Sequence, residues 1–199
     1  MKIKDLYKQV LNEQSVCLEV GVFLGENAQN IFNHNPKKLY LVDPWENQVE
    51  KLKARNVIPH SHVTGHPKEQ EEWFQLVTSK FSNNKNVDII RKYSVDAAEL
   101  FNNNYFDFIY IDALHDYESV RSDINAWSKK LKTGGMMVID DYQVNNERGY
   151  GVIEATDEFL LNNSNFKIYK KLNRSIVILK MNIIDRIVNK IKKLMIQHA

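Results

Sequence analysis

Five stretches of almost unbroken strand-forming residues recur along the chain: "VCLEV" at 16–20, "LYLVD" at 39–43, "VDIIRKY" at 87–93, "FDFIYID" at 106–112 and "GMMVIDD" at 135–141. Continuous Val, Ile, Leu, Tyr and Phe, rather than apolar–polar alternation, marks strands covered on both faces. Most are followed by segments with apolar residues at helical spacing, among them "SVDAAELFN" and "YESVRSDINAWSKKL". Strands alternating with helices select a parallel sheet with right-handed crossovers. After Gly151 the order changes to a helix, "GVIEATDEFLLNN", and two paired strands, "FKIYKKL" and "RSIVILKM". The expectation is an α/β fold: a doubly wound, mostly parallel seven-stranded sheet with a C-terminal antiparallel hairpin.

A length of 199 residues suits one domain with at most an appendage. Residues 1–180 form that domain, and the long connection 46–86 is a candidate substrate lid. Within it, "PKEQEEWFQLVTSKF" reads as a helix with Trp73, Leu76, Val77 and Phe81 facing inward. Residues 181–199 read as an amphipathic basic helix, with Ile184, Ile187, Val188, Ile191, Leu194 and Met195 on one stripe. Packing on the domain or in a homo-oligomer competes there with a peripheral membrane contact. A formal net charge of +2 does not by itself imply a nucleic-acid partner. Cys17, the lone cysteine, fits a reducing compartment and a buried position. With no export signal and no apolar stretch long enough to span a bilayer, a cytoplasmic location is expected.

The first functional signal is "LEVGVFLGENA", where a strand ends at Glu19 and Val20 and glycines follow at 21 and 25. Gly21 permits a tight turn and close approach to a ligand, and the next helix N-terminus offers free N–H groups. Phe23 stands where the dinucleotide fingerprint needs its second glycine, so a pyrophosphate is not expected here. Asp43 ends the second strand, where an acid commonly binds the paired hydroxyls of a ribose. A turn or cap role beside Pro44 is the competing reading.

The series Glu19-x-Gly21-x-x-x-Gly25, Asp43, "YSVDAA" and Asp112 resembles the class I S-adenosylmethionine-dependent methyltransferases over residues 16–180, with their Rossmann-like sheet. The resemblance implies S-adenosyl-L-methionine as cofactor. Glu19, Gly21 and Gly25 would then frame its methionine part, Asp43 its ribose, and Ser94 and Asp96 its adenine, with Asp112 at the same rim.

"YIDALHDYESV" ends a strand on Asp112 and brings His115 three residues later, while "VIDDYQ" delivers Asp140 and Asp141 to the neighbouring strand end. Three converging carboxylates repel unless protonated or bound to a cation, and an oxygen-rich set suits Mg²⁺. A cation and a neutral histidine together would align and deprotonate a hydroxyl acceptor. Asp-x-x-His followed by Asp-Asp resembles the metal-dependent sugar O-methyltransferases of the macrocin and mycinamicin type. That likeness implies Asp112, Asp140 and Asp141 as metal ligands, His115 as base, and a carbohydrate or other small-molecule acceptor. Helix and turn caps remain the plain alternative for Asp112, Asp116 and Asp141. Methylation of a nucleic acid or protein, and a non-catalytic binding module, are the other functional readings.

Three weaker signals complete the pattern. His60, His62 and His66 lie in a segment broken by Pro59, Gly65 and Pro67, which reads as a loop rather than a zinc site. Arg55 and the histidines could meet an acceptor if that loop folds over the rim. Tyr142, Arg148 and Tyr150 border the expected acceptor pocket.

Overall fold

The computed structural model describes residues 2–59, 64–143 and 149–188. The elements run α1 (Ile3–Val10), β1 (Val16–Val20), α2 (Glu26–Phe32), β2 (Lys38–Val42), α3 (Val49–Lys53), α4 (Pro67–Phe81), β3 (Val87–Ile90), α5 (Ser94–Ala98) and β4 (Phe106–Ile111). Then come α6 (Tyr117–Lys130), β5 (Leu131–Ile139), α7 (Val152–Asn162), β6 (Phe166–Lys171) and β7 (Ile176–Lys180).

Seven strands form one sheet in the order β3-β2-β1-β4-β5-β7-β6. β1 lies parallel to β2 and β4, β2 to β3, and β4 to β5. β7 runs antiparallel to β5 and to β6, as the hairpin expectation required.

Period-two alternation explains why each strand reads as one apolar block: its two residue sets face two different cores. Leu18, Ile109, Met137 and Ile178 join one core, against α6 and α7 residues such as Ile124, Trp127 and Ala155. Cys17, Phe108, Tyr110 and Val138 join the other, against Leu6 and Tyr7 of α1, Ala28 of α2, and Val77 and Phe81 of α4. Burial pushes the Cys17 thiol up to about 12, as suits a core side chain rather than a nucleophile.

Helix α4 departs from its expected pattern at one position. Val77 and Phe81 are buried, but Leu76 is exposed. Successive residues lie 100° apart on a helix, so the stripe through Gln70, Val77 and Phe81 turns Leu76 outward. In the C-terminal segment, residues 183–188 are helical. Ile184, Ile187 and Val188 there are exposed rather than packed on the domain; Ile191, Leu194 and Met195 lie outside the described residues. Among those residues, no helix is long and apolar enough to cross a membrane.

Candidate active site

A cavity of about 420 Å³ opens at the carboxyl ends of β1, β2 and β4. Strand order reverses between β1 and β4, which is where open α/β sheets place ligands. The volume lies within the ~300–1,000 Å³ range of small-molecule sites.

The turn after β1 builds one wall. Gly21 has φ +84, and a Cβ there would stand 1.9 Å from the carbonyl oxygen of Asp112. Only glycine lets the turn pass so close to the end of β4. Gly25 has φ +71, and its Cβ would meet side chains of Val77 and Phe81 at 3.4 and 3.5 Å, so α4 also packs on this turn. Phe23 adopts a left-handed φ of 50. Its carbonyl accepts the Trp45 indole N–H at 2.9 Å, and its ring packs edge-on against Trp73 with centroids 4.8 Å apart.

Asp43 holds the turn in place. Its Oδ2 accepts the N–H groups of Val22 at 2.8 Å and Phe23 at 3.0 Å, and its Oδ1 accepts that of Trp45 at 2.7 Å. Burial raises its pKa against the lowering effect of those three N–H groups. The carboxylate thus acts as a clamp as well as a cavity wall.

Glu19 sits beneath the turn and is 1% exposed. Its Oε1 accepts the Asn27 amide at 3.0 Å, and Asn27 in turn accepts the Tyr7 hydroxyl at 2.8 Å. Glu19 Oε2 is buried with no hydrogen-bond partner. Burial pushes its pKa well above the ordinary range. A buried acceptor lining a cavity is costly unless a ligand brings it a donor such as an ammonium group.

At the far end, Ser94 lines the cavity and its hydroxyl accepts the Trp127 indole N–H at 2.9 Å. Asp96 is exposed and lies outside the cavity wall. The carboxyl that does reach the wall here is Asp123 of α6, which is 4% exposed and hydrogen-bonded to Ser94. Burial holds its pKa up to about 7, against the lowering influence of Ser94 and Lys51. Its signal was present in "YESVRSDINAW", where an acid occupies the buried Val120–Ile124–Trp127 stripe.

The acidic rim assembles around His115. Its Nε2 lies 3.2 Å from Asp112 Oδ1 and 3.6 Å from Asp141 Oδ2. The ring stacks on Tyr150 with centroids 4.8 Å apart. Burial pulls the His115 pKa down, but the hydrogen bond and charge of Asp112, with Asp141 and Asp140, leave it above the ordinary value. Asp141 has a left-handed φ of 50, a strained conformation for a residue with a Cβ. Its Oδ1 also accepts from Arg174, at 3.0 Å from Nε. Asp140 Oδ1 accepts the Ser175 hydroxyl. Burial, then the charge of Asp112, raises the Asp140 pKa.

The three expected metal ligands therefore reach one rim, but not as a cage. Arg174 supplies a compensating positive group to Asp141, His115 lies within polar contact of Asp112 and Asp141, and among the described residues no three His, Cys, Asp or Glu side chains are arranged to hold a metal ion. The donor set as folded does not fit Mg²⁺.

The connection 46–86 lines the cavity with Glu46, Gln48, Lys51, Arg55, Gln70 and Trp73, and the Arg55 guanidinium donates to Asp116 at 2.7 Å and Ser119 at 3.0 Å. Asp116 also caps α6 by accepting the Ser119 N–H. Leu52, Val57 and Leu114 form a small core beneath that contact. His66 is a helix cap: its ring accepts the Lys68 N–H, and its own N–H donates to Glu69. Tyr142 donates to Asp157 at 2.7 Å and does not line the cavity. His60, His62 and Arg148 lie outside the described residues.

Residues 18–142 match the family described as "Methyltransferase domain". Uncharacterized protein R132 of Acanthamoeba polyphaga mimivirus is 38% identical over 79 residues, 37% of this chain and 36% of that protein; the chain thus matches about a third of that relative's length. Among solved structures, an rRNA methylase from Streptococcus thermophilus aligns with a TM-score of 0.61 at 14% identity, over 90% of this chain and 95% of the other. SMU.1697c from Streptococcus mutans, in complex with SAH, gives 0.62 at 16% over 90% and 96%. The O-methyltransferase NovP gives 0.63 at 13% over 90% and 80%. At such identities the likeness is one of fold.

Proposed function

The chain belongs to the methyltransferase-domain family, and from that premise we propose that it transfers the methyl group of S-adenosyl-L-methionine to a hydroxyl oxygen of a sugar or other small molecule. The observation that carries this reading is His115 held between Asp112 and Asp141 at the rim of the cavity.

The cofactor, when bound, supplies an electrophilic methyl group on a sulfonium. Glu19 Oε2, buried and unpartnered, would accept a hydrogen bond from its ammonium group. Gly21 keeps the turn low enough for close approach, and Asp43 Oδ1, with one N–H bound, retains a lone pair for a ribose hydroxyl. His115 would take the proton of the acceptor hydroxyl as the new carbon–oxygen bond forms and the carbon–sulfur bond breaks. Asp112 and Asp141 then stabilise the resulting imidazolium, which is the charge a base must carry at the end of the step. Aligning acceptor and methyl group supplies the rest of the rate enhancement.

No step is routed through a divalent cation, because Asp141 is committed to Arg174 and His115. The test is a methyl-transfer assay against a panel of sugars, small phenols and an RNA oligonucleotide, alongside calorimetry with S-adenosylhomocysteine. Binding of that product together with transfer to a hydroxyl supports the reading; absence of binding removes it. Loss of transfer in chelator, with recovery in Mg²⁺, would install the cation that the sugar-methyltransferase resemblance implies.

A further inference from the structure

From Ile183 to Val188 every apolar side chain turns away from the domain. Met181 is buried, and its N–H donates to the Asn165 carbonyl at 2.8 Å, which fixes the exit of the chain from β7. Asn182 then starts a new helix. Its side-chain oxygen accepts the Asp185 N–H at 2.8 Å, and its carbonyl accepts the Arg186 N–H at 3.1 Å. Ile183 and Ile184 are 73% and 72% exposed, and Ile187 and Val188 are exposed beside them. Single apolar residues on a surface are ordinary, but four together on one helix mark an interaction surface.

Charge selects what covers it. At about 100° per residue, these four and Ile191, Leu194 and Met195 project within an arc of about 140°. Lys190 and Lys192 project to the two borders of that arc, while Asp185, Arg186 and Lys193 project away from it. The residues from 189 onward lie outside the described residues, and their sides follow from sequence spacing. Residues 181–199 hold Arg186, Lys190, Lys192 and Lys193 against Asp185 alone, a net +3 in a chain of net +2. Residues 1–180 are thus close to neutral, and the positive excess belongs to this segment.

A second copy could cover the apolar side, but it would bring the same positive charge and leave the bordering lysines unmatched. An anionic phospholipid surface meets both halves at once. The apolar arc enters the acyl boundary, and the bordering lysines extend along it to the headgroup phosphates. β6, the edge strand beside β7, adds exposed Ile168 and Tyr169 followed by exposed Lys170 and Lys171. An aromatic ring with a polar tip suits the headgroup level. We propose that the segment from Ile183 onward is a docking helix for anionic phospholipid, seating the domain on a membrane surface without crossing it.

Co-sedimentation of the full chain with vesicles tests this, using phosphatidylcholine alone or with about one third phosphatidylglycerol. The protein should bind the anionic vesicles at least about tenfold more strongly, and the preference should shrink in high salt. Ile184→Glu with Ile187→Glu should weaken that binding at least about tenfold. Both positions are exposed, so the thermal melt of the domain should not move. Lys190→Gln, Lys192→Gln and Lys193→Gln together should reduce binding to the level on phosphatidylcholine. Equal binding to both vesicles, or to neither, overturns the proposal, as does binding that survives both sets of substitutions. Sedimentation velocity separates the rival occupant: a dimer that the paired Glu substitutions dissolve, in a protein indifferent to vesicles, gives the stripe to a second copy.

Discussion

Oδ2 of Asp43 accepts the N–H of Val22 at 2.8 Å, tying the end of β2 to the turn that follows β1. Two further N–H groups, of Phe23 and Trp45, depend on the same carboxylate. Asp43→Ala strands all three donors. Unsatisfied buried donors cost about 1–3 kcal/mol each, and water entering the widened turn offsets part of that sum. Urea denaturation should show a loss of roughly 2–4 kcal/mol, with S-adenosylhomocysteine affinity falling at least about tenfold. A variant as stable as the parent would mean that the clamp is unimportant.

Two glycines with nearly equal φ should respond very differently to alanine. Gly21→Ala places its Cβ 1.9 Å from the Asp112 carbonyl oxygen, whereas at Gly134, φ +83, nothing lies within 4 Å. Gly134→Ala should cost about 1–2 kcal/mol, the left-handed penalty alone. Gly21→Ala adds a backbone clash and should cost at least about 3 kcal/mol, or prevent folding. Thermal melts of the pair decide the matter.

His115→Gln removes the proposed base without changing the charge of the neutral ring. Methyl transfer should fall by about 10²–10⁴-fold, as for loss of a general base. S-Adenosylhomocysteine binding should change by less than about threefold, because the proton acceptor serves the hydroxyl rather than the cofactor. Transfer at the parental rate would remove His115 from the mechanism.

Arg55 holds the connection 46–86 against the N-terminus of α6, through an ion pair whose arginine is partly exposed and whose Asp116 is buried. Arg55→Ala leaves that carboxylate with the Ser119 N–H and no cation. The expected cost is about 1–2 kcal/mol, below that of a fully buried pair because water reaches one side. Dissociation of S-adenosylhomocysteine should accelerate, as stopped-flow displacement would register; an unchanged rate would show that this contact does not retain the ligand.

The buried Asp123 has its pKa raised to about 7 in the folded protein, against about 3.9 in an unfolded chain. The native state therefore holds the proton to higher pH than the unfolded state. Stability from this group is complete below about pH 4 and declines as pH rises to about 7. A penalty on the order of 4 kcal/mol then persists above pH 7. Asp123→Asn should abolish this decline. Relative to the parent, it should gain stability between pH 5 and 8 in urea titrations, and parallel profiles would contradict the raised value.

The sheet and its helices were legible in the sequence because strand and helix periodicities are local properties, repeated over many residues. Glycines 21 and 25 were legible for a related reason, since each marks a backbone shape that few other residues adopt. Asp112, His115 and Asp141 also met where strand-end positions placed them, because parallel strands deliver their carboxyl ends to one rim.

What the residues at that rim bind was decided elsewhere. Arg174 on the hairpin lies 33 positions from Asp141 in the chain, yet it takes one of its oxygens. Asp96 and Asp123 are both acids in helices flanking the same cavity, but only Asp123 faces it. Periodicity assigns a side chain to a face of its own element; which neighbour meets that face depends on how separate elements pack across the sheet. The sequence by itself determined the architecture and the edge at which chemistry gathers. Only the tertiary structure decided which charges there are paired, because a partner is chosen by distances of a few ångströms between elements remote in the chain.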